Sequence, residues 1–226
     1  MTREELAERY PLLFHVTLGG TWPRIERHGL LSTSALLDLY GVSGSRRIAL
    51  ERSRRATRTP IYHPDLGTAI LNDQQPMTEA ALARCLDDGL SPADWLALLN
   101  RHVFFWTTEP MLTRFLGARG NRGRVLEVLV VDTLRLATQH ANTIELCPIN
   151  SGTTLRRAAR RGLATFTPLT ALSFDEWSSR RGGRDEVREV TVLDGIPDIG
   201  RHVSQVRCVI PRQVSGPTTS TSTNRS

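Results

Sequence analysis

The sequence predicts an α+β fold. Apolar stretches of strand length recur along it, but at irregular intervals and with capped helical segments between them. A doubly wound parallel sheet needs a steadier strand–helix alternation than this. With 226 residues, 39% of them hydrophobic, the chain is long enough to bury its own core.

Thr2 and Glu5 stand at capping-box spacing, which opens a short helix running to about Tyr10. LLFHVTL at 12–18 is rich in branched and aromatic residues and reads as a strand. Thr21 is placed to cap a second helix with Pro23 in its first turn, and Gly29 to end it. A further helix is expected over 34–40, a flexible break over 41–45 and helix again over 46–58. GTAILNDQ at 67–74 reads as a strand or extended loop. Helical spacing returns from Met77, stops at Gly89 and restarts at Ser91 with Pro92 and Asp94, placing Trp95, Leu96, Leu98 and Leu99 inward. HVFFWTT at 102–108 and RVLEVLVV at 124–131 read as strands, with a helix at 110–117 and a basic turn, GARGNRG, between them. Weaker strands are expected at 143–146, 189–193 and 204–210. Residues 1–210 are expected to form the domain, and the polar, low-complexity end at 211–226 a disordered tail.

Composition excludes several classes. No apolar run reaches bilayer-spanning length, and the charged start MTREELAERY has no apolar h-region, so neither membrane partner nor secretory signal is expected. Cys85, Cys147 and Cys208 are odd in number and far apart, which fits a reducing, cytoplasmic setting and offers no C-x-x-C zinc pair. No metal is expected. The net charge is +6, and all 29 basic residues are arginine. Arginine forks pair with phosphate oxygens, so clusters at 46–47, 52–58, 156–161 and 180–184 suit phosphate or nucleic-acid contact as well as an ordinary solvated face. There is no G-x-S-x-G elbow, no P-loop, no H-E-x-x-H and no dinucleotide fingerprint in GARGNRG.

Three segments remain: FHVT at 14–17 followed by HGLL at 28–31, VFFWTTEPML at 103–112, and DEVREVTVLDGIPDI at 185–199. In this order they resemble the ADP-ribosyltransferases of the DarT type, which modify DNA bases, and their bacterial relatives. The resemblance spans roughly 12–200. It implies a split mixed sheet with surrounding helices, and NAD as co-substrate. His15 and Thr17 would contact its ribose and nicotinamide, and Phe104 and Trp106 would stack on nicotinamide. An arginine would lie on the phosphates, with Arg55 matching best, Arg54 nearly as well, and Arg52 and Arg58 competing. The helical stretch at 77–100 departs from the DNA-modifying enzymes and leaves the acceptor open.

The chemistry supplies its own reasons. Cleaving the nicotinamide–ribose bond leaves an oxocarbenium-like sugar, which a nearby carboxylate stabilises. A carboxylate on a strand is held in direction by packing. Glu189 begins such a strand, and Glu186, three residues earlier, faces the other way on an extended chain. Glu189 is therefore the expected catalytic residue, with Glu186 its rival. In the resembling family the preceding loop selects the acceptor. Here it reads FDEWSSRRGGR, where Trp177 would stack a base and Arg180, Arg181 and Arg184 would hold phosphates. The expected reaction is ADP-ribose transfer from NAD to a nucleic-acid base in single-stranded DNA or RNA. The alternatives are transfer to a protein or small molecule, removal of an RNA 2′-phosphate, and a catalytically silent binding module. An antitoxin or ADP-ribosyl hydrolase is the partner that the resemblance leaves room for.

Overall fold

The structure is a computed structural model that describes residues 1–155, 158–181 and 186–211. Thr2 Oγ1 accepts from Glu5 N at 3.1 Å while Glu5 Oε2 accepts from Thr2 N at 2.8 Å. These two bonds close the expected capping box on α1 (Arg3–Arg9). Next come β1 (Leu12–Leu18), α2 (Trp22–His28) and β2 (Leu30–Leu31). Thr21 does not cap α2 with its side chain. Instead the Glu127 carboxylate accepts from Gly20, Thr21 and Trp22 N at 2.7, 3.1 and 2.9 Å. A carboxylate there answers both the unpaired amides and the positive end of the helix. Gly29, at φ 90°, ends α2, and a Cβ there would lie 2.8 Å from Pro197 Cα. The glycine lets β2 pair closely with a late strand.

After α3 (Thr33–Leu39), α4 (Gly44–Arg52) stops at Arg52 rather than running to 58. The remaining basic residues lead into a hairpin of β3 (Thr59–His63) and β4 (Gly67–Leu71). Only β4 was legible, because Pro60 inside β3 argues against a strand except at an edge. Then follow α5 (Glu79–Ala83), α6 (Pro92–Asn100), β5 (His102–Trp106), α7 (Glu109–Leu116) and β6 (Leu126–Asp132). Next are α8 (Thr133–His140), which the sequence reading did not expect, β7 (Ile144–Cys147) and β8 (Thr167–Pro168). Asp132 both ends β6 and caps α8, accepting from Arg135 N at 2.9 Å. The chain continues with α9 (Phe174–Ser179), β9 (Glu189–Leu193), β10 (Gly195–Ile196) and β11 (Val203–Val209). The expected tail lies outside the described residues from 212 onward.

The architecture is mixed α+β. Seven strands run in the order β11-β6-β1-β5-β9-β7-β8, each pair antiparallel, so this sheet is antiparallel where a mixed one was expected. One face of this sheet buries Leu13, Phe105, Leu129, Val190 and Leu146 against Leu6, Leu136 and Trp177 of α1, α8 and α9. The other carries two clusters. Phe14 and Val130 pack with Leu112 of α7, while Cys147 packs with Trp95 and Leu96 of α6 and with Phe166. No helix among the described residues is long and apolar enough to cross a membrane.

Candidate active site

One row of residues crosses the sheet at the level of the site. Val130 pairs with Phe14, Phe14 with Trp106, Trp106 with Glu189 and Glu189 with Cys147. Directly opposed residues of antiparallel strands share a face, so Glu189 lies in this row between the two clusters on the α6–α7 side. A carboxylate in such a place is costly unless it is hydrogen-bonded. Here Glu189 is 4% exposed, and its Oε2 accepts from Ser151 Oγ at 2.6 Å and from Ser151 N at 3.2 Å. Arg161 Nη1 in turn donates to Ser151 O at 2.9 Å and its Nε to Ala159 O at 3.0 Å, which fixes the loop that carries Ser151. Burial pushes the Glu189 carboxyl up to about 7, against the opposing pull of the two Ser151 bonds, Cys147 and Arg161. Burial, together with the neighbouring Glu189 charge, raises the Cys147 thiol far above its ordinary value, so it is an inert neighbour rather than a nucleophile. Glu186 is exposed and ion-paired with Arg188 at 2.9 Å, in the approach to β9 rather than on it. Burial, and not the pleat, separates the two glutamates.

His15 stands where β1 and β5 meet. Their register has a single pair, Phe14 with Trp106. Immediately beyond that pair the His15 Nδ1 lies 2.9 Å from Phe104 O, and the ring stands edge-on to Phe105 at 5.7 Å. Burial lowers the histidine's pKa against the raising effect of the Phe104 carbonyl, which favours the neutral ring. By alternation along β1, His15 and Thr17 share one face, while Phe14, and with it Glu189, belongs to the other. Thr17 Oγ1 is engaged with Thr21 Oγ1 at 3.0 Å. The structure thus brings His15 to the gap between β1 and β5 and leaves Glu189 one strand away on the opposite face.

The aromatic residues are spoken for by neighbours. Phe104 is edge-on to Phe166 at 6.3 Å, and Trp106 packs on Phe115 of α7 at 5.4 Å. The arginine expectation needs correction. Arg55 is 8% exposed, and its guanidinium donates to Asn72 O, Leu50 O and Asn100 Oδ1 at 2.9, 2.5 and 2.9 Å. It pins the β3–β4 hairpin and α4 to α6, and burial lowers its pKa to about 10. Among the described residues, Arg54 makes a long 3.4 Å contact to Gln75 O. Trp177 is also corrected as a base-stacking residue. The segment from Phe174 to Ser179 is helix α9 rather than loop, Trp177 is 0% exposed, and Arg181 covers its ring at 3.4 Å. Arg180 borders a shallow cleft of about 340 Å³ with Asp175, Glu176 and Ser179, and Arg184 lies outside the described residues.

Ser151, Arg161 and Cys147 complete the site; the sequence reading noted Cys147 and the 156–161 arginine cluster but assigned none of the three to Glu189. They lie 38, 28 and 42 residues from Glu189 along the chain, and only the β7–β9 pairing and the returning loop bring them there. No local spacing encodes that meeting.

Fold and site together define an α+β protein that keeps a protonatable carboxylate inside an antiparallel sheet. A family model described as a family of unknown function, DUF7002, matches residues 11–203. The chain belongs to that family. The match runs from the start of β1 to the start of β11 and includes His15, Ser151, Arg161 and Glu189. No curated protein matches the chain.

Proposed function

We propose that this protein is an NAD-dependent ADP-ribosyltransferase with Glu189 as its catalytic carboxylate. The observation that carries the reading is the one buried glutamate among the described residues, at the start of β9, held by two hydrogen bonds from Ser151. The ordered resemblance of the segments around His15, Val103 and Glu189 supports it. Ionised Glu189 would accept a hydrogen bond from the ribose 2′-hydroxyl and stabilise the positive charge that develops as nicotinamide leaves. The acceptor then attacks the anomeric carbon, and its proton passes to a base. Because the carboxyl titrates near pH 7, the acidic limb of the rate profile is centred near neutrality.

The preferred acceptor is a nucleic-acid base, on the strength of the +6 charge and the arginines before β9. The deep burial of Glu189 favours a second reading, transfer to a small molecule or a single protein side chain that can enter a narrow site. The test of the enzyme reading is nicotinamide release from NAD by wild type, Glu189→Gln and Glu186→Gln. Loss on the order of a hundredfold in Glu189→Gln alone supports it. Equal turnover by all three, or loss confined to Glu186→Gln, would remove Glu189 from the role.

A further inference from the structure

Far from Glu189 in the sheet, three side chains from separate parts of the sequence converge. His140 ends α8, Asp198 follows β10, and His202 precedes β11. His140 Nε2 lies 2.7 Å from Asp198 Oδ1, and His202 Nε2 lies 3.2 Å from Asp198 Oδ2. The two imidazoles meet edge to face at 5.3 Å. One ligand-capable atom from each of the three can be chosen so that all lie within 4.8 Å of one another. A tetrahedral zinc ion at about 2.0–2.1 Å from its ligands holds them roughly 3.3 Å apart, so small side-chain rotations suffice.

A hydrogen-bonded cluster alone would need no ion. His202 is what such a cluster leaves unexplained. It is 2% exposed, yet its Nδ1 has no hydrogen-bond partner among the described residues and its Nε2 has only the 3.2 Å approach of Asp198 Oδ2. Buried polar groups are nearly always satisfied. Its backbone is held, with His202 O accepting from Asp132 N and His202 N donating to Ile199 O, both at 2.9 Å. The ring is therefore fixed in place, with Nε2 against Asp198 Oδ2 and Nδ1 without a protein partner among the described residues.

We propose that His140, Asp198 and His202 bind one divalent transition-metal ion of the zinc class. Two imidazoles and one carboxylate suit zinc and its neighbours, whereas magnesium and calcium take oxygen ligands. Three protein ligands leave a fourth position for water. The ion would clamp the end of α8 to the turn that starts β11, independently of any reaction at Glu189. The sequence expectation of no metal rested on the spacing of cysteines and histidines, and this group is assembled only by the fold.

The test is calorimetric titration of chelator-treated protein with Zn²⁺, alongside Co²⁺ loading read by visible absorption. One ion per chain is expected, with a rise in thermal midpoint on loading. Losing even an outer partner of a metal site costs roughly 10–100-fold in affinity, so His140→Gln and Asp198→Asn should lose at least that. Cys208→Ser, which removes the exposed thiol, should bind as wild type does. His140 is at a helix end with a 17% exposed side chain, so His140→Gln decides the matter if Asp198→Asn does not fold. Undetectable binding, binding that survives His140→Gln, or binding abolished by Cys208→Ser would overturn the proposal.

Discussion

Ser151 Oγ donates to Glu189 Oε2 across 2.6 Å, inside the protein and away from water. Two consequences follow, one for stability and one for pH dependence. The native state pays for a buried acid, because Glu189 titrates near 7 when folded against an ordinary 4.5. Between those two values the folded protein binds the proton more tightly than the unfolded chain. Stability contributed by the protonated form is thus complete below about pH 4.5 and lost as pH rises through 7.

That loss corresponds to about 3 kcal/mol. Glu189→Gln removes the charge and keeps an acceptor oxygen for Ser151. It should flatten the fall in stability between pH 4.5 and 8 and be the more stable protein at pH 8. Denaturant unfolding at several pH values measures this. A variant that is less stable than wild type at pH 8 contradicts the account of the buried charge.

Ser151→Ala removes a bond to the ionised carboxylate that contributes roughly 1.5–3 kcal/mol. The Glu189 pKa should rise further, moving the acidic limb of any NAD-cleaving activity up by roughly one to two pH units. Activity at pH 9 should largely recover. A uniform loss at all pH values would show that Ser151 serves only to pack the loop.

Arg55→Ala leaves the Asn100 side chain and two backbone carbonyls, Leu50 O and Asn72 O, without their donor. The loss of such a buried network is expected to destabilise the fold by about 2–5 kcal/mol, read as a lower unfolding midpoint. An unchanged midpoint with weakened NAD binding would return Arg55 to the phosphate role that its sequence position suggested.

Arg180 and Arg184 test the acceptor. Arg181 is unsuitable because it covers Trp177. Single-strand binding that depends on phosphates weakens with salt, at a log–log slope of about −0.7 per contact. Arg180→Ala with Arg184→Ala should flatten that slope while sparing nicotinamide release. Salt-independent affinity in the wild type would favour the small-molecule or protein acceptor.

Much of the scaffold was legible. The capping box at Thr2 and Glu5, the strand around His15, and the strand that begins at Glu189 are local signals of cap chemistry and β-branched runs. The failures have physical causes. Glu127 caps α2 from a distant strand, a tertiary substitution invisible in the local pattern around Thr21. Helix α8 begins directly after Asp132, the last residue of β6, with no loop between to mark the change. FDEWSS has its own capping box, with Ser173 accepting from Glu176 N at 3.2 Å and Glu176 Oε2 accepting from Ser173 N at 2.8 Å. The arginines and glycines that follow obscured it. The site was half legible. Glu189 could be read from its strand, but Ser151, Arg161 and Cys147 reach it only through strand pairing and a long returning loop.

The most direct test of the central claim is incubation with NAD labelled on its adenylate phosphate, in parallel with single-stranded DNA, RNA and a protein pool, for wild type and Glu189→Gln. The account predicts label covalently attached to a nucleic acid with equimolar nicotinamide release in wild type, and neither in Glu189→Gln. Label appearing on protein would keep Glu189 and change the acceptor. No label and no nicotinamide from any pool, with a folded wild-type protein at pH 8, would contradict the claim that Glu189 is a catalytic carboxylate.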